Sequence, residues 1–132
     1  MATWDDIGAV VATLPEAEEG TAYGNRAWRV KKGMLVWERP LRKADLEALG
    51  DAAPSGDIVG LRTESEAEKH ELIAAMPEVF FTTPHFDGHA AVLARLEPLP
   101  VPVLEQLVRD AWLRLAPKRA IRAWERAGGA QA

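Results

Sequence analysis

The sequence predicts a single two-layer α+β domain, with a five-stranded antiparallel sheet and helices packed on one of its faces. Three observations predict it. Apolar spacing along the chain switches between a period near 3.6 and a period of two. Neighbouring strand-like runs are joined by short turns, which implies antiparallel pairing. No linker or internal repeat divides the 132 residues, so residues 1–132 are read as one domain whose helices cover one side of the sheet. The element order is α-β-β-(short α)-β-α-β-β-α.

Thr3-x-x-Asp6 resembles a capping box with Asp in the place of Glu, and Ile7, Val10, Val11 and Leu14 follow at helical spacing. The spacing predicts a first helix over roughly 4–14, limited by Pro15. The acidic stretch Glu16-Ala17-Glu18-Glu19-Gly20 reads as a loop. Ala27–Val30 and Met34–Arg39 are strand-like, and Lys31-Lys32-Gly33 between them is a hairpin signal. By a period of two, Trp28 and Val30 share one face, and Leu35 and Trp37 another. Pro40 ends the second strand.

Lys43–Leu49 reads as a short helix stopped by Gly50, and Asp57–Arg62 as the third strand. Thr63-x-x-Glu66 has the form of a capping box and opens a helix through about Ala75, with Leu72, Ile73 and Met76 inward. Val79–Thr82 has strong β propensity. Thr83–His89 is a loop with an Asp87-Gly88 turn, and Ala91–Leu96 is the fifth strand. In the last helix Leu104, Leu107, Val108, Ala111, Trp112 and Leu115 form a wide apolar stripe. Pro117 breaks or kinks it, and helix resumes over Lys118–Ala127.

Composition excludes several classes. No apolar run, Ala90–Ala94 among them, is longer than five residues, far short of the ~20 a membrane-spanning helix needs, so no membrane partner is expected. The N-terminal Met1-Ala2-Thr3-Trp4-Asp5-Asp6 lacks the basic start and apolar stretch of a signal peptide, and a cytoplasmic location is the expectation. Cysteine is absent, which removes disulfides, a thiol nucleophile and thiolate metal sites. The net charge of −4 is uneven: residues 1–108 carry 10 basic and 18 acidic groups, whereas residues 109–132 carry 6 basic and 2 acidic. Only the C-terminal segment has the charge of a nucleic-acid-binding surface.

His85-x3-His89 with Asp87 offers three metal-ligand types in five residues, but Pro84 and Gly88 deny the two His a shared helical face, and no metal is assigned. Glu16, Glu18 and Glu19 read as a solvated run rather than an acid/base pair. Ser55 and Ser65 lack a nucleophile elbow, and Gly20, Gly24 and Gly33 form no phosphate-binding loop. No catalytic residue and no cofactor is assigned. Tyr23, Trp28, His85 and Phe86 are the candidate pocket residues, with core packing as the competing reading for Trp28. Arg114, Lys118, Arg119 and Arg122 are the candidate anion site: on a continuous helix, 114, 118 and 122 line one face.

Glu18-Glu19-Gly20-Thr21-x-Tyr23-Gly24 with Ala27-Trp28-Arg29-Val30, the block Pro77–Gly88 (PEVFFTTPHFDG), and Ala111-Trp112 with Ala116-Pro117-Lys118-Arg119 resemble, in order and spacing, three signatures of the MmcQ/YjbR-like family. The resemblance implies a secretion-chaperone-like α+β fold with a five-stranded antiparallel sheet. It also implies a link to DNA, since members are often labelled DNA-binding, but no reaction. The Ala-rich stretch 40–56 departs from the pattern. Two functional readings follow from residues and resemblance together. One is a binding module with weak, sequence-nonspecific nucleic-acid contact through the Arg-rich C-terminal helix. The other is a protein-interaction or small-ligand module using the loops around Tyr23 and His85. An enzyme ranks third, for want of any motif.

Overall fold

The computed structural model describes residues 1–31 and 33–129. Five helices, α1 (Trp4–Ala12), α2 (Lys43–Leu49), α3 (Glu66–Ala75), α4 (Val101–Leu115) and α5 (Lys118–Arg126), accompany six strands. These are β1 (Ala17–Ala22), β2 (Asn25–Val30), β3 (Gly33–Glu38), β4 (Ile58–Arg62), β5 (Phe80–Phe81) and β6 (Ala91–Arg95). They form one antiparallel sheet in the order β1-β2-β3-β4-β6-β5.

The sheet therefore has six strands, not five. The additional one is β1, which lies where an acidic loop was expected. Glu18, Glu19 and Thr21 are exposed and only Ala17, Gly20 and Ala22 are half-buried, so the strand has no apolar alternation to reveal it. Its backbone pairs with β2 from Ala17↔Val30 to Ala22↔Asn25, and Glu19 crosses to Arg26 at 2.9 Å. Charged, exposed side chains suit a strand at the edge of a sheet, where they discourage further pairing.

Three other expectations are corrected. α1 ends at Ala12, two residues early, with Thr13 as its C-cap. The capping residue of α3 is Ser65, whose Oγ accepts from Glu68 N, while the Thr63 hydroxyl donates to the Ser65 carbonyl. Leu35 and Trp37 lie on opposite faces: the β2–β3 register jumps from Trp28↔Val36 to Arg29↔Met34, leaving Leu35 as an extra residue that turns inward with Val36. The break expected at Pro117 is present: Ala116 and Pro117 are both extended, so α4 and α5 are separate helices; the ring of Pro117 removes an N–H that helix continuation would need.

The main core lies between one sheet face and α1, α3, α4 and α5. Trp28, Leu35, Val36, Leu61 and Phe80 of the sheet meet Ile7, Leu104, Val108 and Trp112 of the helices. Thr3 caps α1 reciprocally with Asp6. Trp112 is fully buried, donates through Nε1 to the Pro15 carbonyl at 3.0 Å, and meets Trp124 edge-on. Helices on one face are not the whole arrangement, however. The opposite face carries a second, smaller cluster of Ile58, Phe86, Ala91 and Leu93, with Trp37, Leu41 and Phe81 packed on it. Part of that face is covered by the 3-10 turn Pro84–Phe86, whose Phe86 belongs to this cluster and against which α2 packs; the rest is a groove.

Candidate functional site

The groove begins at the β1–β2 turn. Tyr23 and Gly24 have φ of +53° and +79°, the pair of left-handed conformations that a two-residue hairpin turn requires. This geometry pushes the Tyr23 side chain outward, where it is 93 % exposed. The turn stands beside His85 and Phe86, and these three line one hollow of about 160 Å³ together with Asn25, Met34, Trp37, Glu38 and Arg42. An adjoining hollow of about 220 Å³ is lined by Trp37, Arg62, His85, Phe86, His89 and Ala91. Trp37, His85 and Phe86 belong to both, so the two form one groove along the second face of the sheet. Larger hollows of about 440 and 580 Å³ lie beside Met1–Trp4 and beside Leu115. Neither gathers any of the Tyr23, His85 and Phe86 side chains.

The floor is set by β3 and β4. Trp37 lies opposite Gly60 in the register, and a Cβ at Gly60 would collide with the indole. Glycine is what lets a large ring lie down on the sheet there.

The wall is the 84–89 segment, held by groups that sequence reasoning did not single out. Lys69 of α3 is 1 % exposed, and its Nζ donates to the Phe86 carbonyl at 2.8 Å. The Glu66 carboxylate accepts from Gly88 N at 2.8 Å. The Arg39 guanidinium lies 5.2 Å from the Phe86 ring centre, while His85 and His89 approach the same ring edge-on. Arg39 is itself buried and ion-paired with Asp45 at 3.0 Å. Burial pushes the Asp45 carboxyl up, but the Arg42 N–H and the Arg39 guanidinium outweigh it, and its pKa is lowered. A signal for Lys69 was present: it stands at i with Leu72, Ile73 and Met76 at i+3, i+4 and i+7, on the inward stripe of its helix.

The other sequence-derived candidates are not in the groove. Trp28, expected on a pocket wall, is 1 % exposed in the main core, stacked on Trp4 with Arg26 over its ring. The basic cluster is divided by the break at Ala116–Pro117, so the four-residue spacing does not run from Arg114 to Lys118. Arg119 is engaged by Glu16 through two hydrogen bonds of 2.9 and 2.8 Å. Lys118 and Arg122 remain one turn apart on α5 and exposed. Among the described residues no three His, Asp or Glu side chains gather as a metal site, and no helix is long and apolar enough to cross a membrane.

No family model matches the chain. It is 51 % identical over 127 residues to uncharacterized protein Mb2600 of Mycobacterium bovis and to uncharacterized protein Rv2570 of Mycobacterium tuberculosis, covering 94 % of this chain and 96 % of each relative. Among solved structures it is similar to Deinococcus radiodurans protein DR2400, described as a DUF419 domain, with a TM-score of 0.66 at 20 % identity, covering 100 % of this chain and 92 % of that one. That likeness extends to the α+β fold.

Proposed function

The chain belongs to the family of the mycobacterial proteins Mb2600 and Rv2570, and we propose that it is a small-ligand-binding module whose site is the groove on the second face of its sheet. The observation that carries this reading is the convergence of Tyr23, His85 and Phe86, from two loops distant in sequence, on the half-buried Trp37. Concave sites with aromatic walls and a few convergent polar groups are where small molecules bind, and loops held by a rigid scaffold are where function concentrates. Here the scaffold side is explicit, since Lys69, Glu66 and the Arg39–Asp45 pair all fix the 84–88 segment. The MmcQ/YjbR-like assignment is part of the same proposal, supported by two of its three signature blocks supplying groove residues.

Crystals soaked with small aromatic fragments test this reading. Fragment density between Trp37 and Phe86 is expected. Fragments settling only beside Met1–Trp4 or Leu115 would overturn it. A second reading, phosphate contact through the exposed Lys118 and Arg122 of α5, is weaker, because the fold separates Arg114 from these two and Glu16 occupies Arg119.

A further inference from the structure

The charge in the groove is one-sided at one end. Arg62 opposes Ala91 in the β4–β6 register and so projects from the second face with Trp37 and Phe86 beside it. It is half-buried, and its Nε donates to the Met34 carbonyl at 2.7 Å. No carboxylate among the described residues pairs with it. By contrast Arg39, a buried guanidinium beneath the groove, is already matched by Asp45, and Arg42 lines only the other hollow. Burial lowers the Arg62 pKa, and the neighbouring Arg114 lowers it further. The Arg62 end of the groove is lined by Trp37, Arg62, His85, Phe86, His89 and the two alanines at 90–91, without an acidic group. The one carboxylate lining the other end, Glu38, accepts from Arg26 N at 3.1 Å beside the Tyr23 turn.

A partly desolvated cation without a counter-ion is costly. A ligand carrying a negative charge offsets that cost, and a guanidinium offers carboxylate or phosphate oxygens a planar fork of donors. His85 and His89, both against the Phe86 ring, supply further ring N–H groups at the same end. Trp37 supplies a planar surface next to them.

We infer, resting on the reading of this groove as a ligand site, that its ligand is a planar small molecule bearing a carboxylate or phosphate, with Arg62 receiving the anion, His85 and His89 completing its contacts, and Trp37 carrying the ring. The shared chemistry is an oxyanion on a flat body.

Three probes of one shape separate the possibilities: benzoate, phenyl phosphate and neutral benzamide, each titrated into the intact protein and followed through the Trp37 indole N–H by NMR. Benzoate or phenyl phosphate should bind about tenfold more tightly than benzamide, a difference of about 1.4 kcal/mol. The stronger of the two identifies the oxyanion. The preference should shrink when salt is raised from about 20 mM to about 500 mM. Arg62→Gln, which keeps a donor for the Met34 carbonyl, should abolish the preference for the charged probes over benzamide; Arg62→Lys, which keeps the charge, should retain it. Equal binding of charged and neutral probes in the groove would overturn the oxyanion assignment and leave the groove reading standing. Failure of all three to move any groove resonance would overturn both.

Discussion

The indole of Trp37 rests on the α-carbon of Gly60, across the β3–β4 pair, so closely that no side chain fits between them. This contact sets the depth of the groove floor. Gly60→Ala should therefore displace the ring rather than be absorbed, at a cost of about 1–3 kcal/mol for overpacking. Urea midpoints together with Trp37 fluorescence check it. An unchanged midpoint and spectrum would mean that the ring has room the structure does not show.

The Arg39–Asp45 pair is buried beneath the Phe86 ring. Asp45→Asn leaves the Arg39 charge without its partner, and breaking a buried pair in this way costs about 3–5 kcal/mol. The sign of the pH dependence follows from the lowered Asp45 pKa. A carboxyl held below its unfolded value binds fewer protons when folded, so its contribution is full above the ordinary Asp range near 3.9 and is lost as pH falls through the lowered value. Urea midpoints measured from pH 7 down to about 3 should fall at the acid end, and Asp45→Asn should flatten that fall.

Lys69 holds the segment that carries His85 and Phe86. Lys69→Met keeps the aliphatic packing but leaves the Phe86 carbonyl without its donor, at a cost of about 1–3 kcal/mol. The local consequence is the more telling one: amide exchange at Phe86, Gly88 and His89 should accelerate more than exchange in β6. Uniform acceleration across the domain would show that Lys69 supports the whole fold and not this loop.

Trp112 closes the main core, with Nε1 bound to Pro15 and its ring against Trp124. Trp112→Ala should cost about 3–5 kcal/mol, a large part of the margin of a domain of this size. Glu125→Ala, at an exposed position of α5, is the control, and an equal midpoint shift for the two would refute the packing described.

The helices were legible in the sequence because each main-core helix carries apolar residues at 3.6-residue spacing; the Leu104–Leu115 stripe is buried at Leu104, Leu107, Val108, Ala111 and Trp112. β1 was not, because an edge strand with both Glu18 and Glu19 in solvent leaves no period of two to read. The site was half legible. Tyr23, His85 and Phe86 stood out as loop aromatics and imidazoles inside signature blocks. Trp37 and Arg62 did not, because their role depends on which face they take. The extra residue Leu35 decides that face for β3, and a register that no single strand encodes decides it for β4. The four-residue spacing of Arg114, Lys118 and Arg122 required a continuous helix, and the break expected at Pro117 ends that helix before Lys118.

The most direct test of the account is the position of the five Trp indole N–H resonances as small aromatic probes are added, with Trp37 assigned by Trp37→Phe. The Trp37 resonance should move, together with the backbone amides of His85, Phe86 and His89, while the fully buried Trp112 stays fixed. Movement of the Trp4 indole beside the N-terminal hollow, with Trp37 unmoved, would contradict it.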